Sequence, residues 1–105
     1  MAENFNIDYK KNNHELDITF TGQLTINTIK KVTESVKSQI TDQSVVNITV
    51  KDVDNIDLTF IQLLHSIKHS GKKKGFAVNL SMTLPEDLES LIVNAGFGNL
   101  LKQNN

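Results

Sequence analysis

The chain has 105 residues, enough for one domain with a single core and too few for a second. Hydrophobic residues make up 38% and charged residues 22%, which is ordinary globular usage and excludes a disordered composition. With 11 Lys and Arg against 12 Asp and Glu the formal net charge is −1, so no overall field recruits nucleic acid or an anionic membrane, and the absence of cysteine removes disulfides, thiolate catalysis and thiolate metal sites.

Phe5, Ile7 and Tyr9 alternate with polar residues, and the alternation resumes at Leu16, Ile18 and Phe20 after Asn12-Asn13-His14. Period two predicts two strands with one apolar face each, joined by a hairpin turn for which asparagine tolerates the required positive φ. Gly22 is the expected end of the second strand. From Leu24 the spacing changes to Ile26, Ile29, Val32, Val36 and Ile40, close to one stripe of a helix, with Thr25 as its cap.

Val45 to Val50 is β-branched and nearly continuous, the pattern of a strand covered on both faces at the sheet centre. A second helix is predicted from about Leu58 to Ser70, with Phe60, Ile61, Leu63, Leu64 and Ile67 inward and Gly71 as the stop. The Lys72-Lys73-Lys74-Gly75 turn leads to a short strand over Phe76–Leu80.

Thr83 and Glu86 have the spacing of a capping box for a third helix, with Pro85 in its first turn. Leu88, Leu91, Ile92 and Ala95 form its predicted inner face and Gly96 its end. Phe97, Leu100 and Leu101 are left to pack or to form a further strand. Residues 1–4 and 102–105 are expected to fray. The order β-β-α-β-α-β-α predicts a single α/β domain over 1–105 with right-handed crossovers.

The stretch Asp57-Leu58-Thr59 before an apolar helix resembles the Asp-x-Ser/Thr signature of STAS domains, the sulfate-transporter and anti-sigma factor antagonist family. Gly22-Gln23-Leu24-Thr25 is similar to that family's Gly-Glu-Leu turn, and Ala95-Gly96-Phe97 to its Gly-Leu/Phe step after the third helix. The resemblance covers nearly the whole chain and implies a mixed sheet of about four to five strands with three or more helices. It departs from the pattern at Leu58, where Ser or Thr is more usual, and at Phe60, where Gly or Ala is.

The resemblance implies a non-enzymatic, bacterial, protein-binding module of transcription regulation. Its partner is an anti-sigma factor of the kinase type that phosphorylates the hydroxyl matching Thr59. Partner binding then falls to Asp57, Leu58, Thr59, Phe60 and Gln62. An alternative is an accessory subunit on the ATPase of an ABC lipid-transport system, and a further one is a small-molecule or anion sensor. Independently of the family, Thr59 and Gln62 have capping-box spacing, with Asp57 as the alternative cap, so a purely structural role for Thr59 stands beside the regulatory one.

Other candidates carry less. His65 and His69 have the i, i+4 spacing of a zinc pair, but they project away from the apolar face, so no metal is expected. Lys68 and Lys72–Lys74 read as a solvated turn that could steer a partner, and with 6% aromatics no nucleic-acid platform is visible. Asp52 and Asp54 read as residues of a loop entering the second helix. No nucleophile motif or phosphate-cradling glycine loop occurs, so no catalysis and no cofactor are expected. Without a leader pattern or an apolar run near 18 residues, the chain is expected to be cytoplasmic and without membrane insertion.

Overall fold

The computed structural model describes residues 5–26 and 28–94. Strands β1 (Phe5–Asn12) and β2 (Glu15–Leu24) form the expected antiparallel hairpin, with Asn12 opposite Glu15. Asn13 turns it at a φ of 58°, the left-handed region that asparagine adopts more readily than most side chains. The chain continues through α1 (Ile29–Gln39), β3 (Val45–Ile56), α2 (Leu58–Lys74), β4 (Ala77–Met82) and α3 (Glu86–Ile92). β3 lies parallel between β2 and β4, so the sheet order follows the chain order. The described residues thus form an α/β fold, a mixed sheet of four strands with three helices.

Register separates the two faces of the sheet. Leu16, Ile18 and Phe20 of β2 stand opposite Val46, Ile48 and Val50 of β3, and all six are buried. Val32 and Val36 of α1 join Phe60, Ile61, Leu64 and Ile67 of α2 in the same cluster, so both helices cover this face. Phe20 and Phe60 meet edge to face with centroids 5.0 Å apart, a geometry worth about 1 kcal/mol beyond the area buried. At the sheet edge the Tyr9 hydroxyl and Ser35 Oγ share a 2.6 Å hydrogen bond that ties β1 to α1. Burial raises the Tyr9 phenol above its ordinary pKa, with the Ser35 bond opposing it.

The opposite face is polar, which corrects the expectation that β3 is covered on both sides. Asn47 Nδ2 donates to Asp17 Oδ1 at 2.8 Å and to Glu15 Oε1 at 3.2 Å, and Asn79 Nδ2 donates to Asn47 Oδ1 at 2.9 Å. Only alternate residues of β3 face the helices, and its apolar run is broken at Asn47 and Thr49 on the polar side. β3 is also twice the expected length, and Asp52 and Asp54 belong to it rather than to a loop.

Helix boundaries differ from the sequence reading wherever backbone geometry outranks side-chain spacing. β2 runs past Gly22, which sits at a φ of 91° where the register with β3 shifts, so this glycine makes a bulge and not an end. α1 starts at Ile29, and Thr25 is not its cap: Thr28 Oγ1 accepts from the Thr25 N–H at 3.4 Å and donates to the Gln23 and Thr25 carbonyls. α2 runs through Gly71 to Lys74 and ends on Gly75 at a φ of 88°, whose N–H donates to the Gly71 carbonyl. α3 starts after Pro85 with no side-chain cap, so the Thr83–Glu86 capping box does not form. Glu86, Asp87 and Glu89 in its first turn suit the positive end of the helix instead. Leu88 packs on the core, whereas Leu91 is 44% exposed and not inward. The expected inner position Ala95, the stop at Gly96, any strand from Phe97 and the frayed ends lie outside the described residues.

Gly71 is where α2 touches β4. A Cβ there would stand 2.6 Å from the Phe76 carbonyl oxygen and 3.0 Å from Val78 Cγ2, and backbone cannot step aside. Gly71→Ala is therefore expected to lower stability by about 2 kcal/mol even though alanine is the better helix former. Gly75→Ala meets no neighbour and costs only the positive φ, about 1 kcal/mol. Urea unfolding followed by circular dichroism ranks the two; a Gly71→Ala protein as stable as the wild type would contradict the close approach.

Candidate partner-binding site at the start of α2

β2 and β3 run parallel, so their carboxyl ends and the loops that follow lie side by side at one end of the sheet, where open α/β sheets place their ligands. The register advances two extra residues along β3 between Val50 and Ile56, and Asp52 takes a φ of 48° there. This irregular stretch brings Leu24 opposite Ile56 and aligns the two exits. The Asp57 N–H then donates to the Leu24 carbonyl at 3.2 Å.

Asp57 is the N-cap of α2 in extended conformation, and its carboxylate is divided between the two loops. Oδ1 accepts from the Thr59 N–H at 3.0 Å and also, over a short contact, from the Thr59 hydroxyl. Oδ2 accepts from the Ile26 N–H at 2.8 Å. Partial burial alone would raise the Asp57 pKa. The hydrogen bonds from the Thr59 hydroxyl and from the Ile26, Thr59 and Phe60 N–H groups outweigh it and hold the carboxyl below its ordinary value. The group is therefore a carboxylate at neutral pH.

Each residue singled out in the sequence now has a place. Asp57 and Thr59 are half-buried and joined, Leu58 is 41% exposed and Gln62 is exposed. Phe60 is fully buried against Phe20, so it supports the surface from beneath and forms no part of it. Thr59 is the second residue of α2 and donates its hydroxyl to the acid that caps the helix, so Thr59 and Gln62 are not the capping pair. His65 and His69 are exposed on α2, Lys72–Lys74 close its last turn, and no group of three metal-ligating side chains converges among the described residues.

The site also holds a residue that periodicity had assigned to the core of a helix. Ile26 is 65% exposed on the loop between β2 and α1, held there by the Asp57 carboxylate. Thr25 and Thr28 on either side were the available signal, since short hydroxyl residues favour turns over helix interiors. Ile26 on the loop and Leu58, the first residue of α2, are both exposed and give the surface around the shared carboxylate two apolar side chains.

The STAS domain family model matches residues 6–104. Comparison of the sequence with curated proteins gives no match. Among solved structures the chain is similar to the anti-sigma factor antagonist SpoIIAA in its unphosphorylated form, with a TM-score of 0.72 at 10% identity over 90% of this chain and 84% of that one. It is similar to an uncharacterised protein from Shewanella loihica with a SpoIIAA-like fold, with a TM-score of 0.50 at 18% identity over 92% and 84% of the two chains. A structure described as Mglu aligns over 77% of this chain but 20% of its own length, with a TM-score of 0.61 at 16% identity. At these identities the likeness is one of fold. Among the described residues no helix is long and apolar enough to cross a membrane.

Because the folded-state pKa of Asp57 is depressed, its ionised form stabilises the fold above the ordinary carboxylate value of 3.8, and that contribution is lost as pH falls through the depressed value. Asp57→Asn is expected to be less stable than wild type by about 1 kcal/mol at pH 7, with the gap closing below about pH 4. Thermal denaturation of both proteins across pH 3 to 7 measures this; a gap that widens on acidification would contradict the assignment.

Proposed function

The chain belongs to the STAS domain family, and from that premise we propose that it is a non-catalytic regulatory module that binds a kinase-type anti-sigma factor through the two loops joined by Asp57. The observation that carries this reading is the shared carboxylate, which ties the Ile26 loop to the start of α2, where Thr59 and the exposed Ile26 and Leu58 are held by one acid and its neighbours. A partner would seat Ile26 and Leu58 in apolar pockets and close over the Thr59 hydroxyl. Transcription control in a bacterial cytoplasm follows from the nature of that partner.

Phosphorylation of Thr59 would act through the same carboxylate. The hydroxyl already hydrogen-bonds to Asp57, and the bulk of Phe60 points into the core and leaves the approach to Thr59 clear. The first N–H groups of α2, a ready site for an anion in many helices, are already engaged by Asp57. A phosphoryl group bringing about −1.5 to −2 charges would thus meet an ionised acid instead of vacant donors. Repulsion would weaken the hold on the Ile26 N–H, and a docked partner would have to desolvate a dianion.

Binding to a kinase-type anti-sigma factor from the same genome, measured by isothermal titration calorimetry, tests the reading. Thr59→Ala is expected to bind within about fivefold of wild type, and Thr59→Asp to lose about a hundredfold, since an unpaired charge buried at an interface costs several kcal/mol. Ile26→Asp should also abolish binding while leaving the melting temperature unchanged. Equal affinity for all four proteins would remove this surface from the interface. Equal weakening by Thr59→Ala and Thr59→Asp would favour an accessory subunit, such as one on a transporter ATPase, over a switch.

A further inference from the structure

At the other end of the helices a groove of about 290 Å³ opens between the close of α1 and the second half of α2. Its floor is apolar: Val36, Ile67 and Phe76 are buried, and Ile40 and Leu63 are half-buried at its sides. Lys37, Ser66, Ser70 and Lys74 complete its lining, and no acidic residue belongs to it. In a chain of net charge −1, two lysines with no acid in the same lining mark a local departure from the molecular balance.

The lysines are not consumed by the fold. Neither Lys37 nor Lys74 makes a hydrogen bond or ion pair among the described residues. The helix ends are closed by backbone instead: the Ile40 N–H donates to the Val36 carbonyl, and the Gly75 and Phe76 N–H groups both donate to the Gly71 carbonyl at 2.8 and 3.0 Å. The groove approaches the size of small-ligand sites, and its makeup matches theirs, an apolar body with a few convergent polar groups.

We propose that this groove binds a small apolar monocarboxylate, whose hydrocarbon body lies on Val36, Leu63, Ile67 and Phe76 while its carboxylate takes Lys37 and Lys74 with hydroxyl support from Ser66 or Ser70. The groove shares no lining residue with the surface at Thr59: its near edge, Leu63, begins roughly 6 Å of helix beyond Thr59 and its lining reaches Ser70, roughly 16 Å beyond it. Ligand binding here stands or falls independently of the switch at Asp57.

Octanoate is the probe, with octan-1-ol as the neutral body and acetate as the head alone, each titrated into the isotope-labelled full chain and followed by amide chemical shifts. Octanoate is expected to move the amides of Leu63, Ser66, Ile67, Ser70 and Phe76 with half-saturation near about 1 mM, the scale set by the ligand's size. Octan-1-ol should bind about tenfold more weakly at the same residues and acetate should move none of them. The double substitution Lys37→Gln and Lys74→Gln, on exposed side chains that the fold does not use, should bring octanoate down to the level of octan-1-ol. Ser66→Phe, which fills the groove, should remove both. The proposal is overturned if octanoate shifts scatter away from the groove, if no saturation occurs, or if the lysine variant binds octanoate as wild type does.

Discussion

The two oxygens of Asp57 reach the N–H of Ile26, on a loop 31 residues earlier in the chain, and the N–H of Thr59 in the first turn of α2, and this one side chain makes the surface there a single object. Among the described residues, the other hydrogen bond that joins the two strand exits runs from the Asp57 N–H to the Leu24 carbonyl. An exposed isoleucine on a loose turn is a poor recognition element, because the partner must then order the loop as well as desolvate it. A charge-assisted pair of bonds settles that ordering in the free protein. The same side chain caps α2, so helix stability and surface geometry rest on one ionisation state.

The scaffold beneath explains why an acid at this place can serve both loops. Parallel pairing of β2 and β3 puts both exits at one end, and the irregular register past Val50 brings Leu24 level with Ile56. Phe60 then drops into the core beside Phe20, which fixes the rotation of α2 and turns Leu58 and Gln62 to solvent. Burial on one side of the helix start and exposure on the other are thus two results of one rotation.

Periodicity in the sequence carried most of the architecture. The alternation at Leu16, Ile18 and Phe20, the β-branched run to Val50 and the apolar face of α2 each correspond to an observed element. The failures share a cause. Gly22 and Gly71 were read by their usual role as terminators, whereas their real duties, a bulge and a close contact with β4, depend on neighbours distant in sequence, and the helix stop falls to Gly75, which was read only as part of a turn. Capping spacing misled in the same way at Thr83 and at Thr59, since a pattern of residue types says nothing of whether the backbone places them around a helix start. Asp57 and Thr59 were legible because their neighbours in the chain suffice to identify them, and Ile26 was not, because its exposure is decided by an acid in another segment.

The amide ladder on the polar face of the sheet has a consequence for how the chain finds its pairing. Asn47 donates to the carboxylates of Asp17 and Glu15 and accepts one bond from Asn79, linking three strands. Sliding β3 by one position would thrust that amide among hydrocarbons and lift Ile48 into water, so misaligned sheets are penalised twice. A hydrogen-bonded polar row also offers little apolar surface for a second molecule's sheet to stack against.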